Sequence, residues 1–476
     1  MIDSEREQKS RGPLHTLLRR VVDVREEEVN AMLTSFAFFF FLLSSYFVLR
    51  PIRDAVAASS GVTKLPWLFA GTLAVTLICN PLFSGLVVRF PIRRVIPIAY
   101  NFFVATFLIF YVVLRFAAGG EGSTVDVWMG RAFFVWTTVF ALFNTSIFWS
   151  LMADAFRSEQ AKRVFGFIGV GGTLGSIVGS AVTAALAPQL GAVNMLLVSA
   201  GLVELAVITI LRFPLRAHGT ADRAVRGRAA ARGDGRAGGK DGDVIGGSVW
   251  SGFSSVVKSP YLLAICAFMI FYTLGSTVLY FAQSDIVGRE YADRTARTAV
   301  LAQLELATQV LTVITQIFFT GRIIRWIGLA AALAFLPLVS IFGFGALGLV
   351  PTFATLAVFT VLRRASNFAL TNPSMEVLYT VVPREDKYKA KNIIETFVYR
   401  GGDQLAAWFY AGLTAVGLGL GGISLVTVPL SAVWLALGVW LGRRQARLAE
   451  LAAVDARQQY SITDPRTGLS LAESPR

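Results

Sequence analysis

Cysteine and histidine are scarce in this 476-residue chain, which holds two of each. Cys79 and Cys266 lie inside apolar blocks, whereas His15 and His218 lie in polar segments. A disulfide framework, a Cys/His metal cluster and a catalytic imidazole inside the apolar blocks are therefore excluded. The sequence also has no nucleophile elbow, zinc-binding helix motif or pair of catalytic carboxylates. We predict that the chain is not an enzyme and that it needs neither a cofactor nor a metal ion.

Charged residues are also scarce, at 16% of the chain, compared with about 25% in soluble domains. Hydrophobic residues make up 55% and are concentrated in blocks of roughly 20 or more residues, the length with which an α-helix crosses the hydrocarbon core. The blocks are longer and more uniform than the alternating strands of about 10 residues in membrane barrels. The sequence therefore predicts an all-α, multi-pass membrane protein.

Twelve blocks are predicted to be transmembrane helices. They are residues 31–53, 65–88, 95–117, 127–153, 163–187, 192–213, 261–285, 298–320, 328–350, 353–380, 392–416 and 421–442. Two halves of six helices, separated by a long polar linker, are the layout of major facilitator proteins. The predicted parts are a cytoplasmic N-terminal segment (1–30), an N-terminal half (31–213), a cytoplasmic linker with an amphipathic stretch (214–258), a C-terminal half (259–442) and a cytoplasmic tail (443–476).

The positions of the basic residues predict the orientation. Most of the 44 Lys and Arg residues fall in segments that share the cytoplasmic side if the N-terminus is cytoplasmic. This is the bias expected of cytoplasmic loops, so we predict that both termini face the cytoplasm. A basic surface facing anionic membrane lipid accounts for the net charge of +14 without a nucleic-acid partner. We expect a monomer.

Two short patterns recur in the halves and suggest an internal repeat. The loop at Gly85 to Arg89 resembles the loop at Gly321 to Arg325, and Asn144 in the fourth span corresponds to Asn372 in the tenth. The comparison fits parallel halves related by an axis along the membrane normal.

Ionisable side chains inside the spans carry the functional prediction. Such groups are costly in hydrocarbon and usually face a cavity. Arginine is permanently charged and forks onto carboxylate or phosphate. A cavity lined by Arg53, one of Arg363 and Arg364, and Arg400 would therefore favour an anionic substrate. Alternatively, these arginines pair with Glu376, Glu395 and Asp403 and hold the halves in register.

Our candidate residues form two groups, of which the first contacts substrate and the second couples or gates transport. Glu305 and Asp403 are also candidates for proton coupling, since burial raises the proton affinity of a carboxylate. The substrate group is Arg53, Arg364, Arg400, Asp403, Asn144 and Asn372, and the coupling group is Asp54, Glu305, Glu376 and Glu395.

The fifth span opens with small residues at three- and four-residue spacing, from Gly166 to Gly179. This spacing lets helix backbones approach closely, and we interpret it as packing at the interface between the halves. A phosphate-binding loop is disfavoured, because no strand precedes the glycines and no Lys-Ser/Thr follows them.

Three stretches resemble the non-mitochondrial ATP/ADP translocase family, the nucleotide transporters of plastids and intracellular bacteria, which also has distant relatives in free-living bacteria. They are Tyr46-Phe-Val-Leu-Arg50-Pro-Ile-Arg53-Asp54, then Phe148-Trp149 with Ser158-Glu-Gln-Ala-Lys162-Arg163-Val-Phe-Gly-Phe-Ile-Gly169, and Arg364-Ala-Ser-Asn-Phe-Ala-Leu-Thr-Asn372-Pro-Ser-Met-Glu376 with Lys389-Ala-Lys391. The resemblance implies a major facilitator-like fold, alternating access and a place in the bacterial inner membrane.

The charges with which that family contacts its substrate are carried over only in part. The family's first-span Lys falls on Arg53, which keeps the charge, whereas its two glutamates fall on Thr137 and near Phe281. Its eleventh-span Lys falls on Asp403, or on Arg400 if a gap is allowed. ATP/ADP exchange is therefore an expectation that these changes put in question.

The sequence leads us to expect a secondary transporter of a small anionic substrate, with nucleotide antiport as the leading function. The first alternative is a proton-coupled major facilitator carrier of another organic solute. A membrane scaffold or sensor that transports nothing is the alternative from a different class.

Overall fold

The computed structural model describes residues 26–89, 92–156, 158–212, 256–382, 390–391 and 393–463. The described secondary structure is helical, joined by short turns, in agreement with the predicted all-α fold. The predicted linker and nearly all of the amphipathic stretch lie outside these ranges, as does the chain up to residue 25.

Twelve principal helices follow one another in the described ranges and match the predicted spans in order. They are α1 Glu26–Ser60, α2 Leu65–Arg89, α3 Ile92–Val112, α4 Thr124–Ala155, α5 Ser158–Leu190, α6 Met195–Leu211, α7 Pro260–Glu290, α8 Arg294–Thr315, α9 Gly321–Leu349, α10 Phe353–Ser366, α11 Tyr399–Ala415 and α12 Leu420–Thr463. The principal difference is α12, which extends well beyond the predicted span end at 442.

Nine of the helices in the described ranges are long and apolar enough to cross a membrane. The other three are α6, a shorter apolar helix, and α10 and α11, which adjoin π-helical turns at Asn367–Thr371 and Ile394–Val398. Turns of this kind are frequent at functional sites, because they break the regular backbone ladder. The chain is a multi-pass membrane protein.

The chain forms two compact units. The first contains α1 to α6 together with Tyr280–Val310, which are the end of α7 and the beginning of α8. The second contains the beginning of α7, the end of α8 and α9 to α12. Aromatic side chains fill both cores. Phe39 and Phe148 stack with ring centroids 4.0 Å apart in the first, and Phe268 packs against Trp434 in the second.

Four glycines of α5 pack against α1 inside the first unit, namely Gly171, Gly172, Gly175 and Gly179. A Cβ at Gly175 would collide with the backbone oxygen of Phe40, and one at Gly179 would collide with that of Ser44. The prediction that these glycines serve helix packing is confirmed. The predicted partner was the other half, whereas these close contacts are with a helix of the same unit. Spacing reveals a face for close approach but does not reveal which helix it meets.

Gly328 bends α9 near its beginning. Its φ is 82°, in the left-handed region that a side chain disfavours. The bend separates a short first segment from the long helix that follows it. The membrane-crossing part therefore begins close to residue 328, where the ninth span is predicted to begin.

Candidate functional site

Arg363 on α10 is the centre of a buried polar cluster in the second unit. Its exposure is only 3%, less than that of any other described cation. The guanidinium donates from Nη1 to Ser276 Oγ at 3.0 Å and from Nη2 to the backbone oxygen of Tyr272 at 3.2 Å. Its Nε donates to Ser340 Oγ, also at 3.2 Å. The side chain thus joins α10 to α7 and α9.

All three of these partners are neutral. Among the described side chains no carboxylate forms an ion pair with Arg363. A guanidinium has five N–H donors, of which three are engaged here. The positive charge is therefore held in place by hydrogen bonds but is not neutralised by them. A charged group in a membrane interior is costly, and such groups usually face the bundle interior or a water-filled cavity and mark substrate paths.

Two aromatic rings lie close to this guanidinium. The Arg363 Cζ lies 5.7 Å from the ring centroid of Tyr272 and 6.0 Å from that of Trp434. The Tyr272 ring is 6.4 Å from Trp434 and 6.2 Å from Tyr399. These distances allow cation–π attraction, which increases when water is excluded. The rings also give flat apolar surface next to the charge.

Two polar atoms beside this guanidinium lack a partner. Asn367 donates from Nδ2 to Tyr272 Oη at 3.1 Å, but its Oδ1 is buried without a hydrogen bond, as is the indole Nε1 of Trp434. Buried polar atoms without partners are uncommon in native proteins and call for an explanation. One acceptor and one donor in this cluster are therefore free of hydrogen bonds within the described residues. We refer to Tyr272, Ser276, Ser340, Arg363, Asn367 and Trp434 as the Arg363 cluster.

The neighbouring face of α7 contacts α11. Thr277 Oγ1 donates to Asp403 Oδ1 at 3.4 Å, and a Cβ at Gly402 would collide with Thr273 Oγ1. Asp403 is half-buried and has no ion-pair partner among the described side chains. Arg400, one turn earlier on α11, is half-buried beside the Tyr399 ring. The structure thus places Arg400 and Asp403 three residues apart on α11, inside the predicted eleventh span.

The arginines of α1, in the first unit, are neutralised differently. Arg53 donates from Nε and Nη2 to Asp54 Oδ1 at 2.9 and 2.7 Å, and Tyr280 Oη donates to the same oxygen at 3.0 Å. Arg50 forms an ion pair with Glu305 at 3.0 Å. Both α1 arginines are thus charge-compensated by protein carboxylates. The predicted coupling residues Asp54 and Glu305 are their partners.

Two of the predicted substrate residues occupy other kinds of position. Asn144 is 1% exposed and donates from Nδ2 to the backbone oxygen of Leu42 at 3.2 Å, which ties α4 to α1. Its counterpart Asn372 is exposed, so the predicted equivalence of the two asparagines does not extend to their surroundings.

The remaining candidates lie in the tenth span and in the segment before α11. Glu376 is exposed and pairs with Lys391 at 2.6 Å. Arg364 is half-buried, and its neighbour Arg363 holds the buried position. The side chain of Glu395 lies outside the described residues.

Sequence reasoning did not identify most of the Arg363 cluster. A usable signal was present, however, because residues four apart share one face of a helix. Tyr272 and Ser276 are four apart on α7, and Arg363 and Asn367 are four apart along the tenth span. That pairing favours Arg363 over Arg364 as the inward arginine. Trp434 had no comparable signal, since a single Trp in an apolar helix is ordinarily a packing residue.

No protein-family model matches the chain. Its curated relatives include ADP,ATP carrier protein 2 of Chlamydia pneumoniae, which is 22% identical over 94% of either chain. They also include ADP,ATP carrier protein 1 of Chlamydia muridarum, which is 22% identical over 98% of this chain and 97% of the relative. The similarity thus extends over both halves.

Two solved structures share the fold. One is a bacterial homolog of the human lysosomal transporter Spinster, in an inward-facing and unoccupied conformation. It has a TM-score of 0.56 at 14% identity and covers 89% of this chain and 99% of its own. The other is a POT family transporter in complex with a thioalcohol-conjugated peptide. Its TM-score is also 0.56, at 9% identity, and it covers 88% of this chain and 96% of its own.

The fold is therefore the twelve-helix, major facilitator-type transporter fold, as predicted. Within that class the chain is a distant relative of the ADP,ATP carrier proteins, and the predicted family resemblance is confirmed. Because these relatives are carriers and not enzymes, the prediction of a transporter is confirmed as well.

Proposed function

We propose that this protein exchanges nucleotides of the ATP/ADP type across a membrane by alternating access. The observation that carries the proposal is the similarity to ADP,ATP carrier proteins along nearly the whole chain. The Arg363 cluster supports it, because a fixed cation beside aromatic rings suits a ligand that joins phosphates to a flat base.

The family positions that do not carry charge here are occupied by packing residues. Thr137 is fully buried. Phe281 is fully buried as well, and its ring packs edge-on against Phe69 with centroids 5.5 Å apart. Neither side chain offers a charge to a substrate. Arg363 therefore takes the leading place in our proposal, with Arg400 and Asp403 as further contacts.

Arg53 has a different place in the proposal. Its charge is engaged by Asp54, so it binds substrate only in a state in which that pair opens. The other predicted contacts, Arg364, Asn144 and Asn372, stay candidates. Asp54, Glu305, Glu376 and Glu395 stay candidates for coupling or gating.

We further propose an inner-membrane location with both termini in the cytoplasm, and a monomer as the working unit. The excess of Lys and Arg in the segments between alternate spans supports the orientation. Two halves, 31–213 and 259–442, are proposed to alternate around the substrate.

Exchange in proteoliposomes tests the function. The purified full-length chain is reconstituted with ADP inside, and uptake of labelled ATP is followed with and without a pH gradient. We expect uptake that requires internal ADP and proceeds without the gradient. The variant Arg363→Gln should abolish it, whereas Arg115→Gln, which changes an exposed arginine, should leave it unchanged.

Two outcomes would contradict the proposal. Absence of ATP/ADP exchange at every pH tested rules out nucleotide antiport. Gradient-driven uptake of a different organic solute by the same vesicles would establish the proton-coupled alternative.

A further inference from the structure

A cavity of about 620 Å³ lies in the second unit, between the beginning of α7 and the later part of α12. Val381 and Val382, which follow the tenth span, complete its wall. Three arginines of α12 line it: Arg443, Arg444 and Arg447. None of the residues in the Arg363 cluster borders it, so the cavity is separate from the candidate substrate site.

These three arginines are exposed and have no ion pair within the described part of the chain. Between them Gln445 turns inward and donates to Thr380 Oγ1 at 3.4 Å. The helix therefore presents one row of cations to the cavity. Three like charges so close together repel each other, and an anion between them would remove that repulsion.

The rest of the lining is aromatic and aliphatic. Trp440, 46% exposed, lies one turn before the arginines. Tyr261 anchors the opposite wall by donating from Oη to the backbone oxygen of Leu378 at 2.9 Å. Val439 and Leu448 add apolar surface. The cavity thus combines a basic edge with an apolar side.

The position along α12 indicates where this cavity meets the membrane. The helix has 44 residues, about 66 Å at 1.5 Å per residue, whereas the hydrocarbon core is about 30 Å thick. The apolar sequence ends at Leu441, and the arginines begin two residues later. Tryptophan followed by arginine at the end of an apolar helix is typical of the membrane–water interface.

We propose that this cavity is a binding site for the headgroup of an anionic phospholipid, with the phosphate on the arginines and the acyl chains along the apolar wall. Arginine forks onto phosphate oxygens through two hydrogen bonds, and basic pockets between transmembrane helices accept anionic headgroups. A soluble phosphate would use the arginines but would gain nothing from the apolar wall. The proposal does not depend on which solute is transported.

Native mass spectrometry of the purified full-length chain tests the site. The protein is titrated with phosphatidylglycerol or with zwitterionic phosphatidylcholine in the same detergent. We expect the anionic lipid to be retained in preference. In the variant Arg443→Gln/Arg444→Gln/Arg447→Gln its affinity should fall about 100-fold, because each arginine near an anionic lipid contributes roughly fivefold.

A charge-matched control is Arg226→Gln/Arg228→Gln/Arg232→Gln, which removes three positive charges from the predicted linker. It should retain the lipid as the natural chain does. The proposal is overturned if the triple variant at Arg443, Arg444 and Arg447 retains phosphatidylglycerol as well as the natural chain does. It is also overturned if the natural chain binds phosphatidylcholine as tightly as phosphatidylglycerol. Complete displacement of the lipid by millimolar inorganic phosphate or ATP overturns it as well, since that would identify a soluble-anion site.

Trp440→Ala gives a second readout that leaves the charges in place. We expect this variant to retain phosphatidylglycerol several-fold more weakly. Its affinity for inorganic phosphate should equal that of the natural chain. If the triple variant does not elute as a folded species, two single variants, Arg444→Gln and Trp440→Ala, test the site instead. Unchanged lipid retention in both contradicts the proposal.

Discussion

Helices α1 and α10 both carry arginines within apolar sequence, and they hold them in different ways. On α1, Arg53 is paired with Asp54, and Arg50 with Glu305. On α10, Arg363 is held by a serine on each of two helices and by one backbone oxygen. The α1 arginines are neutralised by protein carboxylates, whereas the positive charge of Arg363 is not neutralised by any described side chain.

The difference gives a physical criterion that distinguishes arginines held in ion pairs from the arginine that we propose binds substrate. Removing one member of a buried ion pair leaves a bare charge, which destabilises the fold. Removing a cation that neutral groups surround relieves a desolvation cost instead. We therefore expect mutations at α1 to act on stability first, and mutations at Arg363 to act on ligand binding first.

The largest expected effect is on binding in Arg363→Gln. Hydrogen bonds to a charged group contribute about 1.5–3 kcal/mol each, so loss of two should weaken ATP binding about 100-fold or more. The unfolding midpoint in detergent should stay the same or rise. Binding is measured by isothermal titration calorimetry on the purified chain.

Arg363→Lys sharpens this test. Lysine keeps the charge but cannot span Ser276, Ser340 and Tyr272 with a planar fork, so we expect intermediate affinity. Unchanged ATP affinity in Arg363→Gln would show that the cluster is structural.

The second largest effect is on stability in Asp54→Asn. The substitution leaves Arg53 without its carboxylate, and we expect a loss of about 3–5 kcal/mol in the free energy of unfolding. The double variant Arg53→Gln/Asp54→Asn should recover most of that loss, because no bare charge remains. Thermal unfolding in detergent, analysed as a double-mutant cycle, measures both, and strictly additive effects would show that the pair has no energetic coupling.

Glu305→Gln should have a smaller effect. Its partner Arg50 is 21% exposed at the side chain and keeps some access to a polar environment, so we expect a loss of about 1–3 kcal/mol. Gln309, which donates to Glu305 Oε1 at 3.0 Å, can still bond to the new amide. The same unfolding assay compares the stability losses of the two variants. A larger loss in Glu305→Gln than in Asp54→Asn would contradict the expectation that the Arg53–Asp54 pair contributes more to stability.

The smallest effect on stability is expected for Glu376→Gln. The carboxylate is 58% exposed in its pair with Lys391, and exposed ion pairs contribute about 1 kcal/mol or less. The unfolding midpoint should match that of Lys391→Gln within error. A change in exchange rate without a change in midpoint would instead support the predicted gating role of Glu376.

The fold was largely predictable, and the site only in part. Apolar blocks of membrane-spanning length identify helices directly, so the twelve segments appear in the order expected. Arg400 and Asp403 fall on one helix, because both lie in the predicted eleventh span. Other contacts join segments that are far apart in the chain. Gly175 approaches Phe40 of α1, and Trp434 lies next to Arg363. Local patterns contain no information about such partners.

The sequence by itself determined that this chain lives in a membrane, because unbroken apolar helices have no other stable solvent. It also determined that permanent positive charges would be placed inside those helices. Only the tertiary structure decided which of the charges are cancelled, since a carboxylate neutralises an arginine only within a few ångströms of it. Asp54 meets that condition for Arg53, and among the described side chains none meets it for Arg363.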